Sequence, residues 1–194
     1  SRYRDRGVGM SLKMAQYRRT LELGQDLITW TFDPLESKNG HLNLNRLNAV
    51  VKRYYVNLYG EKTSSELNSA LGTDRFLAEW HLASSPPAAD QTSEVKLDGL
   101  PLALEGELSR EGFLRPGIPD PDLDSHSVGV EIPSSIQEVK ERSLETAMQW
   151  RLRTREALLH YLSLGYQVTG LVRWKDQTGP RSFYQLVRAR PDEN

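Results

Sequence analysis

Arg4-Asp5-Arg6-Gly7-Val8-Gly9 runs directly into a segment whose apolar residues, Met10, Met14, Tyr17 and Leu21, recur at spacings of four and three. A loop of this composition at a helix start can hold an anion. The first N–H groups of a helix lack intrahelical partners, and the macrodipole adds roughly half a positive charge there. Glycines remove the Cβ atoms that would keep a phosphate away from the backbone. Arg4 and Arg6 can add charge-assisted hydrogen bonds to phosphate oxygens. The lysine and Ser/Thr of a nucleoside-triphosphate loop are missing, so a pyrophosphate suits the segment better than a γ-phosphate. The competing reading is a helix-entry turn with solvated arginines.

A second group, Asp33, Glu36 and His41, follows an expected strand, where α/β folds often place functional side chains. A carboxylate or imidazole there can take a proton from an amine directly or through water. Asp33 before Pro34 equally suits a turn, and Glu36 a solvated surface. The four histidines, His41, His81, His126 and His160, lack the spacing of metal ligands, so no metal site is expected. No serine sits in a nucleophile elbow. Arg151, Arg153 and Arg155 alternate by two on an expected helix, which reads as solvated or paired with Glu145 and Glu156. Trp30, Trp80, Trp150 and Trp174 read as core or interface residues.

The elements that must position these groups follow from periodicity. Residues 10–21 read as a helix stopped by Gly24, and residues 27–32 as a β-branched and aromatic strand ended by Asp33-Pro34. A short helix is expected within 41–47, bounded by the turn residues Ser37-Lys38-Asn39-Gly40, with strands at 49–58 and 75–82. Residues 83–99 form the expected linker, and 115–127 a second proline- and aspartate-rich stretch. Short strands are read at 100–104 and 112–114. A strand at 128–132 leads to Ser135-x-x-Glu138, a capping box, and a helix to about Leu164 that breaks at Ser143. Segments 167–174 and 182–190 make a hairpin. The order is that of an α/β protein. It divides at the linker into residues 1–82 and a C-terminal α/β unit, 100–194.

Arg4-x-x-Gly7-x-Gly9, the helix after it, the strand and the asparagine-bearing second helix together resemble the GNAT superfamily of acetyl-CoA-dependent N-acetyltransferases. Ile28-Thr29-Trp30-Thr31-Phe32-Asp33-Pro34, Leu42-Asn43-Leu44-Asn45, Trp150-Arg151-Leu152-Arg153-Thr154-Arg155-Glu156 and Gly165-Tyr166-Gln167-Val168 are similar to a branch of predicted acetyltransferases without assigned function. The resemblance implies a GNAT-like mixed sheet flanked by helices, with residues 1–82 as the C-terminal half of an acetyl-CoA-binding domain. It places the coenzyme A pyrophosphate on Arg4, Arg6, Gly7, Val8, Gly9 and Met10. Asn39, or else Asn43, takes the place of an asparagine that positions the cofactor. The superfamily's early strands are expected before Ser1. Arg46 stands where many members carry a tyrosine that protonates the leaving thiolate, so no general acid is assigned. The implied activity is acetyl transfer from acetyl-CoA to a small-molecule or peptide amine. The alternative is a non-catalytic acyl-CoA-binding or regulatory module, and a homodimer remains open.

Composition narrows the remaining classes. The 194 residues carry 25 Lys and Arg against 26 Asp and Glu, a near balance that argues against a nucleic-acid binder. With no cysteine there is neither a disulfide nor a thiol nucleophile, which fits a cytoplasmic protein. No apolar run has the length to cross a bilayer, so no membrane partner is expected.

Overall fold

A computed structural model describes residues 8–60, 71–84, 99–110 and 112–189. Arg4, Arg6 and Gly7 of the expected anion loop lie outside them, as do residues 85–98 of the expected linker. The chain is a mixed α/β protein built on a seven-stranded sheet of order β1-β3-β2-β8-β9-β7-β4, with a two-stranded β5-β6 sheet beside it.

Helix α1 (Val8–Glu22) packs Met10 and Tyr17 on the core and sets Tyr17 5.3 Å from the Trp80 ring. Lys13 Nζ lies 3.3 Å over Trp30. Leu21, expected on the packed stripe, is exposed instead. Gly24, at φ +69°, ends the helix in the left-handed region that other residues avoid. The chain then enters β1 (Leu27–Phe32), which pairs with β3 (Arg75–His81); β2 (Val50–Tyr55) flanks β3 on its other side. Ile28, Trp30 and Phe32 stand opposite Trp80, Ala78 and Phe76, giving one face of this half an aromatic floor.

Between β1 and β2 the chain makes a helical turn, α2 (Ser37–Gly40), which continues as a π-helical turn (His41–Arg46). The expected turn at Ser37-Lys38-Asn39-Gly40 is thus the first part of the helix. Gly40 allows its close approach to the sheet: a Cβ there would lie 2.8 Å from the Tyr184 hydroxyl. That hydroxyl is itself fixed, donating to the Pro34 carbonyl at 2.7 Å.

The rest of the sheet comes from β4 (Leu102–Leu104), β7 (Ser127–Ile132) and the hairpin β8 (Tyr166–Asp176) and β9 (Gly179–Arg188). Strands β5 (Gly106–Leu108) and β6 (Leu114–Pro116) form the small sheet; β5 had no signal in the sequence, being three residues with one large apolar side chain. Helices α3 (Ile136–Arg142) and α4 (Leu144–Ser163) meet at Ser143 as expected. Ser143 is extended, at φ −156° and ψ 108°, and its side chain accepts from Thr146 N. Ser135 caps α3 in the same way, accepting from Glu138 N.

Strands from both sides of residues 83–99 therefore lie in one sheet, joined where β2 meets β8. That junction is narrow. Only Val51 and Val168 pair, and past them the Asn45 carboxamide accepts from Leu171 N at 2.9 Å and donates to Leu171 O at 3.1 Å. Phe76 packs on Tyr184 across the gap, ring centroids 5.3 Å apart. No helix of the described residues is long and apolar enough to cross a membrane.

Candidate functional site

The strand registers bring the end of β1, the start of β3 and the end of β2 to the same end of the sheet, since Phe32 and Tyr54 both stand opposite Phe76. Helix α1 runs back along β1, so its N-terminus reaches this end too. A Cβ built on Gly9 would lie 3.6 Å from Leu42 Cδ2, in ordinary contact. The first turn of α1 and the helical turn after β1, proposed from sequence as two parts of one cofactor cradle, are neighbours. Val8 and Gly9 are exposed and Met10 is partly buried. Asn39 is exposed, whereas Asn43 retains only 4% exposure.

Asp33 is held by a different set of contacts. Its Oδ1 accepts from Leu35 N at 2.8 Å, closing the turn that Pro34 requires. Arg151 Nη2 donates to both carboxylate oxygens, at 2.8 and 2.7 Å, and Arg75 Nη1 lies 3.7 Å from Oδ2. Arg151 Nε donates to the Leu71 carbonyl at 3.0 Å. Three accepted hydrogen bonds commit Asp33 to the turn and to Arg151, which suits a residue that shapes the turn better than one that accepts a proton. Glu36 accepts from Gln137 Nε2 at 2.7 Å, while Ser37 Oγ donates to the Ser134 carbonyl at 2.6 Å, so α2 is moored to the segment ahead of α3. His41 is half-buried at the start of the π-helical turn.

Beside Asp33 lies a second charge centre. Asp74 has no exposure and accepts from Tyr54 Oη, from Asn57 N at 3.0 Å, and from Arg155 Nε and Nη2 at 2.8 and 3.0 Å. Thr73 Oγ1 accepts from Tyr59 N at 3.0 Å and donates to the Gly60 carbonyl at 2.8 Å. Together these bonds fix the turn after β2.

Arg151 and Arg155 thus do what the sequence reading did not expect. Neither pairs with Glu145 or Glu156; only Arg153 does, meeting Glu156 at 2.9 Å. A signal existed. Arg151 and Arg155 are four apart, and Arg151 shares its helix face with the buried Ala147, Thr154 and Leu158. Trp174, expected in the core or an interface, is 48% exposed, because it lies where β8 outruns its neighbour β2. Trp80 and Trp150 are core, the latter donating Nε1–H to the Leu114 carbonyl at 3.3 Å.

Burial first, and then the Asp74 charge, push the Tyr54 phenol far above its usual range. Its neutral form is thus favoured in the folded state, and the contribution to stability is full below the unfolded pKa. Above about pH 10 the unfolded chain releases the proton while the folded one retains it, so stability falls as pH rises. Urea midpoints measured from about pH 8 to about pH 11 should decline, and Tyr54→Phe should flatten that decline. An unchanged slope in the variant would contradict this account of Tyr54.

No family model, curated protein or solved structure matches this chain.

Proposed function

We propose that the chain binds acetyl-coenzyme A at the mouth of α1 and transfers the acetyl group to an amine. The carrying observation is the closeness of Gly9 to Leu42, a Cβ at Gly9 lying 3.6 Å from its Cδ2, which sets the exposed first turn of α1 against the π-helical turn that continues from Asn39-bearing α2. In this reading the free amides at Val8, Gly9 and Met10, with Arg4, Arg6 and Gly7, take the pyrophosphate. Asn39 is the better placed of the two asparagines, because Asn43 is buried. Among the described residues β1 pairs on one side only, with β3, so its other edge offers backbone groups to the amides of the pantetheine arm.

The transfer itself is a direct displacement. The neutral amine attacks the thioester carbonyl, the N–C bond forms, the C–S bond breaks, and the thiolate leaves and is protonated. Glu36 and His41 are the proposed proton acceptors. Asp33 acts by holding the turn that precedes them. Its engagement with Arg151, and Arg46 at the position of the acid, also favour a second reading: a module that binds acyl-CoA without turning it over.

Titration calorimetry with acetyl-CoA tests the binding claim. Wild type should bind, and Gly9→Trp should bind at least about tenfold more weakly with an unchanged circular dichroism spectrum. No heat from wild type at about 1 mM ligand, where even weak complexes form, would reject both readings. If binding holds, free-thiol release over a panel of amines separates the transferase from the module.

A further inference from the structure

The β8-β9 hairpin extends past its neighbour on one side. Strand β2 pairs with β8 only at Val51 and Val168, and the Asn45 carboxamide takes both the N–H and the C=O of Leu171. From Leu171 to Asp176, β8 pairs with β9 residue for residue, Arg173 with Ser182 and Lys175 with Pro180. In an antiparallel ladder, alternate residues turn their backbone groups to alternate sides. Because Leu171 faces Asn45, Arg173 and Lys175 direct their N–H and C=O groups to that same outer side. Among the described residues nothing there pairs with them.

The side chains on this edge have a sign. Arg173 and Lys175 share one face of the strand, both are exposed, and neither has an ion-pair partner among the described residues. Arg181, by contrast, is committed to Glu131, Glu105 and Asp176. Trp174 stands on the opposite face, 48% exposed.

We propose that the outer edge of β8 at Arg173–Lys175 receives an extended acidic segment of a partner protein as an added strand. Its backbone continues the pairing that Asn45 begins at Leu171, and carboxylates at alternate positions stand opposite Arg173 and Lys175. A second copy of this chain does not suit the edge. Antiparallel pairing of β8 with itself about Trp174 would set Arg173 against Lys175, like charge opposite like charge. The competing role for such residues is protective, since charged side chains on an edge strand discourage pairing.

Fluorescence anisotropy with a labelled nonapeptide alternating glutamate and valine distinguishes these roles. The peptide should bind the full chain, and affinity should fall at least about tenfold between roughly 50 mM and 500 mM salt. N-methylation of its alternate amides should abolish binding, as should the double change Arg173→Glu and Lys175→Glu, with the fold checked by circular dichroism. No binding at low salt would assign the edge a protective role and overturn the proposal. Equal binding of the N-methylated peptide would reduce the site to a charged patch, and equal binding of a short single-stranded DNA would reassign it to polyanions; each overturns strand addition. A lysine-valine peptide should not bind, and its binding would likewise exclude the charge pairing.

Discussion

Asp33→Ala should destabilise the protein by about 3–5 kcal/mol, because it strands a guanidinium in the interior. Arg151 keeps 3% side-chain exposure and spends both Nη2 bonds on Asp33. Exposed ion pairs are worth about 0–1 kcal/mol, so burial of the arginine decides the size of the effect. The double change Asp33→Ala and Arg151→Met should recover most of the loss, since it removes the unmatched charge while keeping an apolar stem. Urea unfolding followed by tryptophan fluorescence reads both. A single-variant loss below about 1 kcal/mol, or a double variant no better than the single, would show that the pair is solvated in practice. The outcome bears on function as well. A residue used only to accept a proton could be replaced with little effect on the fold.

Asp74→Ala should cost a comparable amount, about 3–4 kcal/mol, through several broken bonds at once. The carboxylate has no exposure and serves Tyr54 Oη, Asn57 N and the Arg155 fork. Arg155 is 23% exposed and can recover some hydration, which limits the loss. The same change should let Tyr54 ionise at lower pH, since it removes the second-largest cause of the upward shift. Spectrophotometric titration of the phenols checks this separately from stability. A protein whose midpoint and phenol titration both stay unchanged would contradict the arrangement.

The elements that could be read from sequence were those with a complete local signal. α1, β1, the capped pair α3 and α4 and the β8-β9 hairpin each combine periodicity with a stop or cap, and each stands within a few residues of its expected place. The break at Ser143 was legible for the same reason, a side chain able to cap the second helix. Pairing was not legible. That β3 inserts between β1 and β2, and that β2 meets β8 through Val51 and Val168, depends on contacts between residues far apart in the chain, which local propensity does not encode. The charged groups failed in a related way. Asp33 and Asp74 are distant in sequence from Arg151 and Arg155, and charges alternating along a helix suggest solvent until the partner across the core is known. Of the candidate site, Gly9 and Leu42 bring together two segments that the family resemblance assigned to one cradle, while Arg4, Arg6 and Gly7 lie outside the described residues.

The narrow contact between β2 and β8 has a mechanical consequence. Backbone pairing across the seam is one rung extended by the Asn45 amide, so side-chain ties such as Tyr184 to Pro34 and Ser37 to Ser134 rivet the two plates of the sheet rather than weld them. Each can follow its own twist without shearing a long row of backbone bonds. A change at Asn45 would remove the amide bridge to Leu171 while leaving the strands on either side of the seam whole.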